Sequence, residues 1–228
     1  MLFRSEVSDR KKLPIIVGGT GLYVSSLLDN IEFLSEETDY ELRKSLEERF
    51  DKIGSDAMLK ELAAFDKASA ERLHPNNRRR IIRAFEVYLQ TGKTITEQNE
   101  ISRQNKSDMK AMVLGITFKN REILYDRINR RVDIMLQNGL FEEAKTTFRV
   151  GKNGAFQAIG HKELYPAISG EKTLEECCDR LKQQTRRYAK RQLTWFNRDS
   201  RINWIYPDED DNYFEKALNK AKNFLKEE

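Results

Sequence analysis

Apolar residues in this chain fall into short unbroken runs and into stripes that recur roughly every three to four positions. Leu13-Pro14-Ile15-Ile16-Val17 is a run and predicts a short buried strand. A tight Gly18-Gly19-Thr20-Gly21 turn and a helix over residues 22–28 follow it. Two further runs, residues 111–118 and 202–206, predict the other strands. Between the first and second strands the pattern is helical and charged: 39–51, 56–65, then 77–90 stopping at Gly92, then a polar stretch through Ser107. Beyond the second strand, Asn120 is placed to cap a helix over 121–138 that Gly139 stops. A shorter helix over 141–148 leads to a glycine-containing loop at 151–160. Thr173 and Glu176 form a capping-box pattern that opens a long helix ending near Phe196, and 210–226 reads as a surface helix.

The expected architecture is α/β. Residues 1–34 and 111–228 form a core built on a parallel sheet, and 35–110 form an all-helical insertion. Three short strands are too few for an ordinary parallel sheet, which is covered on both faces. Further strands before residue 1 are therefore expected.

Composition narrows the class. The 228 residues are 39% hydrophobic and 34% charged, a globular balance. No apolar run reaches membrane-spanning length, and residues 1–12 are too polar for a signal-peptide core, so no membrane partner is expected. Adjacent Cys177 and Cys178, with only two histidines, exclude a zinc finger and argue against a disulfide framework. They read as one core and one boundary residue in a reducing, cytoplasmic compartment. From Pro207 onward seven acids against four lysines leave −3, so residues 1–206 carry +7 of the net +4. A basic body with an acidic tail suits a polyanionic partner.

Three segments carry the bases. On the helix 121–138, Leu124, Ile128, Val132, Met135 and Leu136 form one stripe, and Arg131 falls on its edge. A guanidinium there reads either as a phosphate ligand or as half of a structural ion pair. On the helix 173–196, Leu174, Cys178, Leu181, Thr185, Ala189 and Phe196 share a face opposite Arg186, Arg187, Lys190 and Arg191. Between Thr185 and Arg198 there are five bases and no acid, as phosphate-backbone binding requires; a solvated face is the plain alternative. Gln192 lies on the apolar side and suggests a buried polar contact. From Arg72 to Arg83 five arginines again meet no acid, with Arg79, Arg80 and Arg83 opposite Ile81, Phe85 and Tyr88. His161, in Gln157-Ala158-Ile159-Gly160-His161-Lys162, reads as a loop residue. No Gly-x-x-x-x-Gly-Lys-Ser/Thr occurs, and Gly19-x-Gly21 lacks the third glycine of a dinucleotide fingerprint.

Five stretches in order resemble the tRNA dimethylallyltransferase (tRNA isopentenyltransferase) family. They are Pro14-Ile15-Ile16-Val17-Gly18-Gly19-Thr20-Gly21-Leu22-Tyr23; Leu73-His74-Pro75-Asn76 through Arg80-Ile81-Ile82-Arg83-Ala84; Arg130-Arg131-Val132-Asp133-Ile134-Met135-Leu136; Ala158-Ile159-Gly160-His161-Lys162-Glu163-Leu164; and Thr185-Arg186-Arg187-Tyr188-Ala189-Lys190-Arg191-Gln192-Leu193-Thr194-Trp195-Phe196. Residues 1–8 match no family segment clearly. The resemblance implies a P-loop NTPase-like core and prenyl transfer from dimethylallyl diphosphate to the exocyclic amine of the adenine 3′ of the anticodon, extruded into a channel.

By motif match, Thr20 contacts tRNA at the reacting adenine and Arg131 holds diphosphate. Gly18, Gly19, Gly21, Arg186, Lys190 and Arg191 lie about the diphosphate or core site. Tyr23, Arg43, Arg79, Arg80, Ile81, Ile82 and Arg83 hold RNA, as do Gln157, Ala158, Ile159, Gly160, His161 and Lys162. His161 stands where other members often carry tyrosine. The family's phosphate loop, which binds diphosphate and positions Mg²⁺, and its Asp base precede the matched region. The chain is thus expected to be a C-terminal part of such an enzyme, monomeric, without metal ligands of its own and inactive alone. An adenylate isopentenyltransferase acting on free nucleotide and a non-catalytic helical RNA-binding module are the alternatives.

Overall fold

The computed structural model describes residues 2–31, 39–104, 110–150 and 154–226. It is mostly helical with one small parallel sheet, and it divides into two compact units, Met1–Gly21 with Lys110–Glu228, and Leu22–Met109.

The second unit is built on helices. After α1 (Leu2–Asp9) in the first unit, α2 (Gly21–Leu28) leads into it, and it continues with α3 (Tyr40–Phe65), α4 (Lys67–Arg72), α5 (Arg78–Thr91) and α6 (Ile95–Gln104). The side chain of Asp39 accepts from the Leu42 N–H at 2.9 Å and starts α3. Gly54 breaks that helix at a φ of 80°, a left-handed backbone that disfavours side chains, which divides α3 into the two expected halves. Leu46, Met58 and Leu62 of α3 pack on Ile81, Ile82, Ala84 and Phe85 of α5. Phe65 meets Phe85 edge-on, its ring centroid 5.3 Å away, and stacks on Tyr88 at 4.1 Å. This is one core.

Buried Asp66 ties the shorter helices to it. Its carboxylate accepts from the Ser69 N–H at 3.0 Å, starting α4, and from the Thr96 hydroxyl at 2.6 Å in α6. Burial pushes this carboxyl up, but the Thr96 and Ser69 hydrogen bonds outweigh it and hold it below the usual range. A depressed carboxylate stabilises the fold above its unfolded pKa, and that contribution disappears as pH falls through the folded value. Asp66→Asn should therefore cost about 1–3 kcal/mol near neutrality, and the gap from wild type should close below about pH 4. Urea unfolding across that range checks it; a gap that does not change with pH would contradict the assignment.

In the first unit, β1 (Val113–Ile116) and β2 (Ile202–Ile205) pair in parallel, Val113 opposite Ile202 and Ile116 opposite Ile205. Between them run α7 (Arg121–Gln137), α8 (Leu140–Val150), a 3-10 turn (Gly154–Gln157), α9 (His161–Ile168) and α10 (Leu174–Phe196). Val132, Leu140, Ala144, Leu164, Cys177 and Leu181 form their common core. Both predicted caps form: Asn120 accepts from the Glu122 N–H, and Thr173 and Glu176 make the capping box that opens α10. Cys177 is buried and Cys178 half-buried, as expected. The last helix, α11 (Tyr213–Lys226), has no buried residue. Among the described residues no helix is long and apolar enough to cross a membrane.

Residues 13–17 correct the sequence reading. They carry no regular structure, with Ile15 76% and Val17 92% exposed. A strand needs a neighbour for its N–H and C=O groups, and the described sheet pairs β1 only with β2. Three helices, α1, α4 and α9, form where the pattern predicted none. α4 and α9 are shorter than the span over which a periodicity becomes legible.

Candidate nucleic-acid interface

The glycine turn sits against the end of α10. The Gln192 carboxamide donates to the Gly19 carbonyl at 2.8 Å, the polar contact its place on the apolar side suggested. A Cβ on Gly19 would strike that carboxamide, and one on Gly21 would enter the indole of Trp195. The turn is glycine-rich because α10 approaches closely, whatever anion it also meets. Thr20, between them, is exposed at the start of α2. Gly21→Ala should cost about 1–3 kcal/mol, since the rigid indole must move. Gly18→Ala is the control, because a Cβ there meets nothing within 4 Å. Equal urea midpoints for the two variants would remove the packing explanation.

Arg131 is exposed on α7 and does not enter the core margin its position suggested. Val132 is the fully buried residue beside it, so the stripe turns Arg131 outward. Its neighbours are engaged: Arg130 pairs with Asp126, and Arg127 lies 5.0 Å from the Phe118 ring centroid. Arg131 has no ion-pair partner among the described residues. Arg186 also departs from expectation. It is half-buried, donates to the Asn129 carboxamide at 2.6 Å and leans over Tyr125. It walls a groove of about 510 Å³ with Asp179, Arg180, Lys182 and Gln183. Arg187, Lys190 and Arg191 alone make the exposed stripe of α10, with Arg191 lying over Tyr188.

The helical unit supplies a second basic surface. Arg79, Arg80 and Arg83 are exposed along α5, and Arg79 and Arg80 have no ion-pair partner among the described residues. Ile81 and Ile82 are core side chains. Spacing alone puts Ile82 beside the arginines, but α3 covers it. Arg43 of α3 is joined to this surface through Glu86. Its Nε and Nη2 donate to the two carboxylate oxygens at 2.5 and 2.9 Å, and Arg83 Nη1 reaches Oε2 at 3.3 Å. Burial pushes the Glu86 carboxyl up, yet the bonds from Arg43 and Arg83 hold it below the usual range. Sequence reasoning missed Glu86. The legible signal was an acid inside the apolar run Ala84-Phe85-Glu86-Val87, three residues after an arginine.

The segment 157–162 is partly a loop and partly a helix start. Gln157, Ala158 and Ile159 are exposed. Gly160 is buried at a φ of 109°, and its N–H donates to Glu163 Oε2 at 3.0 Å. His161 is the first residue of α9, not a loop residue, and its Nε2 lies 3.1 Å from Glu143 Oε1. Exposed Lys162 pairs with Glu163 at 3.8 Å. Tyr23 is exposed near the start of α2. Among the described residues no three His, Cys, Asp or Glu side chains group to hold a metal ion. The Mg²⁺ that the resemblance implies thus has no donor set among the described residues.

A family model described as IPP transferase matches residues 2–199, so most of 1–8, which matched no family segment in the sequence reading, falls inside it. The tRNA dimethylallyltransferase of Acetivibrio thermocellus is 43% identical over 223 residues, 96% of this chain and 71% of that protein. Its counterpart in Desulforamulus reducens is 44% identical over 210 residues, 91% of this chain and 74% of that one. The crystal structure of full-length tRNA isopentenylpyrophosphate transferase from Bacillus halodurans superposes with a TM-score of 0.65 at 38% identity, covering 99% of this chain and 71% of that one. A eukaryotic dimethylallyltransferase solved acting on tRNA gives 0.80 at 26% identity, covering 100% of this chain and 60% of that one.

Proposed function

Because the chain belongs to the IPP transferase family, we propose that it serves tRNA modification by prenyl transfer, with its two basic surfaces gripping an anticodon stem-loop. In the reaction, the exocyclic amine of the adenine 3′ of the anticodon attacks C1 of dimethylallyl diphosphate. The C–O bond breaks, diphosphate leaves with the electron pair, and the amine loses a proton. Thr20, exposed at the helix start, meets the adenine. Arg131, exposed and without an ion-pair partner among the described residues, takes diphosphate oxygens, for which a guanidinium supplies a fork of donors. Arg43, Arg79, Arg80 and Arg83 hold the RNA backbone, with Gln157, Ala158, Ile159, Lys162, Lys190 and Arg191 adding contacts. Gly160 and His161 set that loop's shape from within. The parallel pairing of β1 with β2 supports a P-loop-type core, and the protein acts as a cytoplasmic monomer.

One observation carries the RNA reading: among the described residues no acid pairs with the Arg79–Arg80 edge of α5, while the helix's opposite face is locked into a core. Uncompensated cations on a rigid helix are what phosphate binding uses. Competition tests it. A fluorescent anticodon stem-loop bound to the purified chain should resist displacement by an equal concentration of AMP and should dissociate as KCl rises. Displacement by AMP would transfer the reading to a free-nucleotide acceptor, and binding indifferent to salt would remove it. Arg131→Ala should weaken dimethylallyl diphosphate binding about tenfold by calorimetry and leave stem-loop affinity within about twofold. Unchanged diphosphate binding would refute that role.

A further inference from the structure

The geometry points to Glu86 as a positioning residue: one buried carboxylate that aims the Arg43 and Arg83 guanidiniums, from two helices, at a single phosphodiester of bound RNA. This rests on the tRNA reading above. The Glu86 side chain is 3% exposed, whereas Arg43 and Arg83 remain 41% and 47% exposed. Arg43 meets the carboxylate side-on, through Nε and Nη2. That orientation turns the edge bearing Nη1 away from the acid. Arg83 touches it through Nη1 alone, and only at Oε2, the oxygen that Arg43 Nη2 also uses. The two guanidiniums therefore converge on one atom, and their remaining donors are left for an anion.

Placement on α5 adds to this. Arg79, Arg80 and Arg83 are related by three- and four-residue steps and form one exposed stripe, which Glu86 continues into the core. A buried ion pair is by itself weak evidence of stabilisation. Here the acid lies on the same helix as Arg79 and Arg80, which have no ion-pair partner among the described residues, and it lowers that surface's charge. Fixing donors in place compensates, because two long side chains then lose less freedom when phosphate binds.

A positioning role for Glu86 predicts a sign opposite to simple electrostatics. Glu86→Gln makes the chain more positive, which alone would tighten RNA binding. If Glu86 aims the arginines, the variant should instead bind the stem-loop about tenfold more weakly. The test is anisotropy of a labelled anticodon stem-loop with the purified 228-residue chain over a KCl series, for wild type, Glu86→Gln, Arg43→Ala and the double variant. Arg43→Ala should lose about as much affinity and lower the log–log salt slope by about one. In the Arg43→Ala background, Glu86→Gln should change affinity less than about threefold, because the pair acts as a unit.

If Glu86→Gln is unfolded by its urea profile, Arg43→Lys decides. It keeps the charge but cannot make the two-pronged bond, and it should lose about tenfold. Wild-type or tighter binding by a folded Glu86→Gln, fully additive losses, or wild-type affinity in Arg43→Lys would overturn the positioning role while leaving the RNA reading intact. Identical affinity and slope for wild type and Arg43→Ala would instead remove Arg43 from the RNA surface, and the inference with it.

Discussion

Replacing Arg79 and Arg80 together by glutamate is expected to lower affinity for an anticodon stem-loop about 100-fold or more at low salt, with little change in stability. Both side chains are exposed on α5 and engage no acid among the described residues. Each charge-assisted contact to a phosphate is worth roughly 1.5–3 kcal/mol, about tenfold in affinity or more, and reversal adds repulsion to the loss. The slope of log affinity against log salt should fall by about two, since two fewer counterions are released. Exposed substitutions away from a partner usually alter stability by no more than about 0.5 kcal/mol, so the urea midpoint should hold. A double variant that binds like wild type at low salt would take the α5 edge out of the interface.

Leu62→Ala is expected to do the reverse. Leu62 is fully buried where α3 packs on α5, so truncation leaves a cavity that rigid neighbours fill only in part. A loss of about 2–5 kcal/mol follows, read as a lower urea midpoint at constant m-value. Stem-loop affinity, measured well below the transition, should stay near wild type, because no phosphate contact is removed. A loss below about 1 kcal/mol would mean that α3 and α5 do not share a close-packed core. The contrast between the two variants separates holding the arginines up from being one of them.

Much of the architecture was legible because local chemistry dictates it. The Thr173–Glu176 box, the Asn120 cap and the Gly92 stop are satisfied within a few residues, so the sequence around each suffices. The strands over 113–116 and 202–205 also emerged from short apolar runs. Residues 13–17 misled because an apolar run reports a wish to be covered and not the presence of a cover. The candidate site divides along the same line. Gln192 was found through its odd place on an apolar face. The exposure of Arg131 and the half-buried setting of Arg186 were not legible, because a wheel shows angle around one helix and not which neighbour occupies that angle. Glu86 required Arg43, forty-three positions away, and no periodicity spans that gap.

The two units differ in how their pieces are strung along the polypeptide, and synthesis from the N-terminus makes that difference count. Leu22–Met109 is contiguous, so its helices can close on one another while later residues are still on the ribosome. The remainder is split, and β1 must wait for β2, made some ninety residues later, before its parallel ladder exists. A stalled nascent chain should thus display a finished arginine edge beside an unfinished sheet. The contiguous unit is complete first, and the late-closing unit sets the time to maturity.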